Sequence, residues 1–281
     1  MTARNPKELM NWVKDLSSRK DIDANIIIQN FMLERLLERI SVSRYRNKFI
    51  LKGGMLITAI VGIDMRNTLD MDATIKGFDL EKENVEKILN EIINVDVKDE
   101  IKFELTDIKE IREEDQYGGY RAFINATFGN LKFPMKVDIT TGDVITPKEI
   151  KYKFDLMFEK RSIEIYAYNL ETVLADKFET IISRNINNTR ARDFYDIYIL
   201  WQTQVHNFDK DVLRQAIVEK FKYRDTFDKV YNLDVLLLKI RDSKSLKVYW
   251  EKYRDSFSYA EDISYEDVFS VIEEMAKLLK N

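Results

Sequence analysis

The spacing of apolar residues predicts two helices at the start of the chain. Asn5-Pro6 is a typical helix start. The apolar stripe that follows it consists of Leu9, Trp12, Val13 and Leu16. A second helix is predicted from Asp23 to about Ser43.

The pattern then changes to a strand, a turn and a helix. Residues 49–51 form a short apolar run that ends before Gly53-Gly54, and residues 54–61 are long enough for a buried helix. Residues 70–76 alternate polar and apolar with the period of a strand, which places Asp70, Asp72 and Thr74 on one face.

Further alternation predicts the rest of a sheet. A helix from about Leu80 to Ile93 precedes three segments with strand character, and Gly129-Asn130 between the last two indicates a tight hairpin. These segments lie near residues 101–111, 120–128 and 131–140.

The second half of the chain has a different character. Glycine and proline are absent from 148 to 281, and helical periodicity dominates after Tyr166. We therefore expect an α+β protein with an N-terminal lobe at 1–166 that contains a mixed sheet and a helical lobe at 167–281.

Two features at the start of the sheet suggest chemistry. A glycine turn that leads into a helix can present backbone N–H groups to a phosphate. Asp70 and Asp72 point to one face of a strand, where two carboxylates can share divalent cations, and Asp138 lies on the polar face of a later strand. The glycine turn and the carboxylate pair are each more often structural when alone, but together they predict metal-dependent chemistry on a nucleotide.

Composition limits the alternatives. The 281 residues include no cysteine and one histidine, which excludes disulfides, thiolate zinc sites, a cysteine nucleophile and histidine-rich metal centres. No signal peptide or long apolar span is evident, so we expect a cytoplasmic protein that does not enter a membrane. A net charge of −4 argues against indiscriminate nucleic-acid binding but leaves RNA open as a partner.

Four motifs in order resemble the AbiEii/AbiGii-type toxin nucleotidyltransferases of the DNA polymerase β superfamily. They are Gly53-Gly54, then Arg66-x-Thr68-x-Asp70-x-Asp72, then Lys177, then Arg190-x-Arg192-Asp193-x-x-Asp196. The resemblance covers about residues 48 to 200. Met55 departs from it, because Ser or Thr often follows the glycines, so backbone amides would have to bind the terminal phosphates.

The resemblance implies a polymerase β-like lobe and a bacterial toxin of a toxin–antitoxin or abortive infection (phage defence) system, with a separately encoded antitoxin. It implies transfer of NMP from an NTP with Mg²⁺ or Mn²⁺ to an RNA, expected to be the 3′ end of tRNA. Metal ligands would be Asp70, Asp72 and Asp138, with Lys177 and Asp196 as further catalytic residues. The implied nucleotide-binding residues are Gly53, Gly54, Arg66, Thr68, Lys177, Arg192 and Asp193.

Several alternatives remain open from the sequence. The acceptor could be a protein hydroxyl, the chain could be an inactive nucleotide-binding regulatory protein, or two metals could serve hydrolysis in a phosphodiesterase or nuclease. Lys177 could be a surface lysine, and Arg192 with Asp196 could form a structural ion pair, since they are four residues apart on a helix.

Overall fold

The computed structural model describes residues 3–77, 81–111 and 118–280. The chain divides into two compact units, one formed by Met1–Asp143 with Glu149–Tyr168 and the other by Val144–Lys148 with Asn169–Asn281. The expected boundary at 166/167 lies two residues before this division. That the units are separate domains stays a prediction.

The described part of the first unit contains a mixed sheet and four α-helices. The helices are α1 (Pro6–Lys20), α2 (Ala24–Val42), α3 (Gly53–Val61) and α4 (Lys82–Ile93). The strands are β1 (Phe49–Lys52), β2 (Asp70–Ile75), β3 (Ile101–Ile111), β4 (Gly119–Phe128), β5 (Leu131–Thr141), β6 (Ile150–Asp155) and β7 (Ser162–Ala167). The predicted start of α4 at Leu80 lies outside the described residues.

Within the described residues the sheet has seven strands in the order β3-β4-β5-β2-β1-β7-β6. Strand β2 lies between β5, to which it is parallel, and β1, to which it is antiparallel. Strand β7 runs parallel to β1 on its other side. The strand that carries Asp70 and Asp72 is therefore central in a mixed sheet, and the α+β prediction is confirmed.

Local sequence explains where the leading helices begin. The side chain of Asn5 accepts a hydrogen bond from the Glu8 amide at 3.0 Å, and Pro6 occupies the first turn of α1, where no N–H is needed. Asp23 caps α2 in the same way through the Asn25 amide at 2.7 Å. Helix α2 packs against β5 and β7, so it buries apolar side chains along one face of the sheet.

The second unit is helical. Its helices are α5 (Leu170–Arg184), α6 (Ala191–Gln204), α7 (Lys210–Tyr223), α8 (Asp228–Tyr231), α9 (Leu233–Asp242), α10 (Lys244–Ser256) and α11 (Tyr265–Lys277). Asn169 begins the unit by capping α5: its Oδ1 accepts from the Thr172 amide, while its Nδ2 donates to the carbonyl oxygens of Thr146 and Lys148. This amide holds the segment 144–148 against the start of α5.

Candidate functional site

The glycine turn packs directly on the carboxylate strand. Gly53 has a φ of +66°, which L side chains rarely adopt, and a Cβ built there would lie 2.7 Å from Cγ of Asp72. Lys52 and Asp72 are opposite each other in the antiparallel β1–β2 pair. Glycine at position 53 is therefore required both by the backbone and by the Asp72 side chain.

Gly54 packs on the residues that precede the carboxylates. A Cβ at Gly54 would lie 2.7 Å from Oγ1 of Thr68 and 3.5 Å from Nη2 of Arg66. The Thr68 hydroxyl donates to the Asp70 carbonyl at 3.2 Å, and the buried Arg66 guanidinium donates to the Asn67 carbonyl. The two motifs form one structural unit, in which Arg66 and Thr68 brace the turn.

The first turn of α3 leaves its amides without a side-chain cap. Lys52 occupies the N-cap position in extended conformation and makes no capping hydrogen bond with its side chain. Met55 is buried in the core, so its side chain supplies nothing to this end of the helix. Uncapped N–H groups with the positive end of the helix dipole behind them suit an anion.

Charged side chains line up across four strands at this face of the sheet. Asp72 is paired in register with Lys52 on one side and with Asp138 on the other, and Asp138 is paired with Arg121. Directly opposed residues on adjacent strands point to the same face. We define the charge row as Lys52, Asp72, Asp138 and Arg121. It has two negative charges in the middle and one positive charge at each end.

Both outer cations of the charge row are held by carboxylates. Arg121 donates to Asp138 through Nε at 2.7 Å and Nη2 at 2.6 Å, and this bonding raises the pKa of Arg121. At the other end, Lys52 Nζ donates to Asp143 Oδ2 and to Thr140 Oγ1, each at 2.7 Å.

The donor set suits a divalent cation at the carboxylate strand. Asp70 and Asp72 are half-buried on the same face of β2. Mg²⁺ keeps several waters and is commonly held by one or two carboxylates together with substrate phosphates, which these two residues can satisfy. Among the described residues, no group of three or more His, Cys, Asp or Glu side chains is arranged to hold a metal, and Asp138 is bound by Arg121 instead.

In the second unit, Lys177 of α5 lies between two carboxylates of α6. Its Nζ is 2.6 Å from Asp193 Oδ1 and 2.9 Å from Asp196 Oδ2, and both aspartates are buried. Burial alone would lower the pKa of Lys177, but the charges of Asp193 and Asp196 outweigh burial and raise it. Lys177 is therefore a charged, partly buried lysine rather than a surface residue.

One carboxylate oxygen beside Lys177 has no partner within the described part of the chain. It is Oδ2 of Asp193, which is buried while Oδ1 of the same residue binds the lysine. A buried acceptor of this kind needs a donor such as a water or a ligand hydroxyl. Arg192 is exposed, and no ion pair found among the described residues includes it.

Further cations of the second unit are paired inside it. Lys220 is almost fully buried with Nζ 3.2 Å from Asp176 Oδ1, and Arg224 binds both Asp176 and Glu179. These two cations support the packing of α5 on α7. They do not form a solvated basic surface.

Sequence reasoning missed three side chains at the carboxylate strand: Arg121, Asp143 and the role of Lys52. The signal available was alternation, because Arg121 falls on the same face of its strand as the half-buried Phe123 and Asn125. Its partner depends on the β4–β5 register, which a single sequence does not specify.

No helix in the described part of the chain is long and apolar enough to cross a membrane.

Two solved structures from Helicobacter pylori are similar in fold. One is JHP933, with a TM-score of 0.51, and the other is named a "putative nucleotidyltransferase", with a TM-score of 0.50. Each is 14% identical in sequence; the matches cover 92% of this chain and 95% and 98% of the respective H. pylori chains. No curated protein matches the chain.

A family model gives the decisive comparison. The model described as "Nucleotidyl transferase AbiEii toxin, Type IV TA system" matches residues 35–271. This range includes the glycine turn, Asp70 and Asp72 on β2, and Asp193 and Asp196 on α6. The match spans far more than half of the 281 residues. The chain therefore belongs to the AbiEii nucleotidyl transferase toxin family of type IV toxin–antitoxin systems.

Proposed function

We propose that the protein transfers a nucleoside monophosphate from an NTP, bound with Mg²⁺ or Mn²⁺, to the 3′ end of an RNA, with tRNA as the acceptor. The observation that carries this proposal is the packing of Gly53 on Asp72. It brings uncapped helix amides, which suit a triphosphate, next to a pair of carboxylates that suits the accompanying cation.

Each candidate site residue of the first unit has a role in this proposal. Asp70 and Asp72 bind the cation, which when bound neutralises charge and aligns the triphosphate. The amides of Gly53 and Gly54 bind phosphate oxygens, and Arg66 with Thr68 keeps the turn in place. Asp138 completes the carboxylate set and faces the acceptor hydroxyl.

The reaction proposed is an in-line displacement at the α-phosphorus. The RNA hydroxyl oxygen forms the new P–O bond, the bond between the α-phosphorus and the bridging oxygen breaks, and pyrophosphate leaves with that oxygen. The hydroxyl proton passes to a carboxylate, for which Asp138 is our candidate. Catalysis rests on positioning and charge neutralisation.

Lys177, Arg192, Asp193 and Asp196 are the proposed contribution of the helical unit. Lys177 has a third N–H beyond the two aspartates, which can be donated to a phosphate oxygen. Asp196 is fully buried against the lysine, so we assign it as a positioning residue. Asp193 keeps a free buried oxygen for a donor on the nucleotide, and exposed Arg192 is available to a phosphate.

The proposal is tested by incubating pure protein with Mg²⁺, each α-labelled NTP in turn, and total RNA together with total cellular protein. We expect label in a band that RNase removes and protease leaves, of tRNA size. Label in protease-sensitive bands would assign the acceptor as a protein hydroxyl, and free NMP would assign hydrolysis. Absence of turnover with every NTP would favour an inactive nucleotide-binding protein.

As a partner, the family implies a separately encoded antitoxin. We propose that it suppresses the toxicity that nucleotide transfer causes in cells during phage defence. Co-expression of this antitoxin should restore growth of cells that express the wild-type protein.

A further inference from the structure

Arg121 is the residue of the charge row whose position the proposed function leaves unexplained. It binds both oxygens of Asp138, the carboxylate proposed to complete the metal site. A guanidinium keeps its proton at any physiological pH, so it can leave this carboxylate only by moving.

The two ends of the charge row differ in how firmly the cation is held. Lys52 has 16% of its side chain exposed and is bound by both Asp143 and Thr140. Arg121 has 38% of its side chain exposed, and within residues 3–77, 81–111 and 118–280 its side-chain hydrogen bonds all go to Asp138. The Arg121 end is therefore the one with room for the side chain to swing.

The surroundings of Arg121 are those of a cation site. Besides Asp138, the charges of Asp70 and Asp72 also stabilise the guanidinium, which places it in the field of all three carboxylates. A divalent cation bound there would be repelled by a guanidinium on the same carboxylate. The planar fork of arginine fits a phosphate as well as a carboxylate, so a phosphate oxygen pair is an equivalent partner.

We propose that Arg121 occupies Asp138 as a placeholder in the metal-free protein and exchanges this carboxylate for a phosphate of the NTP when the divalent cation binds. The inference rests on the proposed function and adds a residue to it: Arg121 becomes a nucleotide-binding side chain that also guards the metal site. Metal and nucleotide then enter together, because the cation frees the arginine that the triphosphate needs.

The exchange is tested by titrating the nucleotide-free protein with Mn²⁺ and measuring its affinity by calorimetry. If Arg121 competes for Asp138, Arg121→Gln should bind Mn²⁺ at least about fivefold more tightly than wild type. The gain should vanish against an Asp138→Asn background. Lys109→Gln is the matched control, because Lys109 on β3 is paired in register with Arg121 on β4. Its substitution also removes one positive charge.

A second titration follows the arginine to its new partner. With Mg²⁺ present, Arg121→Gln should weaken NTP binding about tenfold, and Arg121→Lys should recover part of this because it keeps the charge without the fork. Thermal midpoints on the same samples identify folded variants, and Arg121→Met, which also removes the charge, serves for the Mn²⁺ titration if Arg121→Gln does not fold.

The outcomes separate this inference from the function beneath it. Equal Mn²⁺ affinity in wild type and Arg121→Gln overturns the exchange, as does a gain that Lys109→Gln shares or that persists with Asp138→Asn. If Asp72→Asn abolishes Mn²⁺ binding in those cases, the metal site stands and the exchange alone fails. Unchanged Mn²⁺ binding in Asp72→Asn overturns the metal site itself.

Discussion

Gly53 carries two constraints at a single residue. Its φ of +66° belongs to the left-handed region, and its Cα faces the Asp72 side chain so closely that a methyl group cannot fit. Either constraint would favour glycine; together they couple the glycine turn to the position of one carboxylate.

Gly53→Ala should therefore damage activity more than stability. We expect transfer to fall about 100-fold, because the displaced Asp72 would no longer hold the cation in line, with a stability loss of about 1–2 kcal/mol from the backbone. Gly118→Ala is the matched control, since among the described residues a Cβ there meets only Glu110 Oε1, at 4.0 Å. Full transfer by folded Gly53→Ala would contradict the coupling.

Substitution of Asp196 tests whether this residue of the helical unit positions Lys177 or only stabilises the fold. Asp196→Asn keeps shape and leaves Lys177 paired with Asp193, so we expect the thermal midpoint to fall by only a few degrees. Transfer should fall about 100-fold as the lysine loses its orientation. The thermal midpoint and the transfer rate should be measured on one preparation, with Asp255→Asn at an exposed position as the control. A large drop in the midpoint at full activity would show that the pair of Asp196 with Lys177 is structural.

At the scale of elements, helix α2 buries a network of charges. Arg35 is fully buried and binds Glu34, Glu38 and Glu159, and Glu34 also accepts from the Met157 amide at 2.6 Å. The network ties α2 to the turn between β6 and β7. Burial raises the pKa of Glu34 to about 7, although Arg35 acts in the opposite direction.

This network should give the first unit a pH-dependent stability. A carboxyl whose pKa is raised on folding binds its proton more tightly in the folded state, so its contribution is complete below about pH 4.5 and is lost as pH rises to about 7. The loss amounts to about 3 kcal/mol at most. Glu34→Gln should therefore gain stability relative to wild type between pH 5 and 8, measured by urea unfolding.

A control variant tests whether the pH dependence of stability originates at Glu34. Glu104→Gln removes an exposed carboxylate from β3 and should keep a constant difference from wild type across the same pH range. Parallel pH curves for wild type and Glu34→Gln would contradict the assignment.

Alternation and glycine position predicted the elements of the sheet well. The predicted strands near 49–51, 70–76, 101–111, 120–128 and 131–140 match β1 to β5, because β1 is a buried apolar run that ends at the glycine turn and the other four follow the alternation of a strand. The sequence predicted no bounds for strands β6 and β7, because neither is bounded by glycine. That β7 lies beside β1 depends on long-range pairing that local sequence does not encode.

The same limit applies to the site. The period of β2 was enough to place Asp70 and Asp72 on one face, but the pairing of Asp138 with Arg121 follows from the register of β4 on β5. The sequence resemblance gave Lys177 a role at the nucleotide, but it did not show that two buried aspartates of the next helix both bind this lysine. Packing of α5 on α6 decides this, and helical periodicity shows only which residues face inward.

For the whole molecule, family membership and site chemistry support one central proposal, which is that Asp70 and Asp72, set beside the glycine turn, direct nucleotide transfer. Asp70 and Asp72 lie in the first unit, on a central strand of the sheet next to the glycine turn. Loss of either carboxylate should leave that fold intact, because both are half-buried at one face rather than part of the core.

The most direct measurement compares wild type, Asp72→Asn and Asp107→Asn in RNA labelling with α- and γ-labelled NTP. Asp107 is an exposed carboxylate on β3 and serves as the matched control. We predict that wild type and Asp107→Asn attach the α-label to RNA and never the γ-label, and that folded Asp72→Asn loses at least about 1000-fold of the rate. Attachment of the γ-label, or undiminished transfer by Asp72→Asn, would contradict the account.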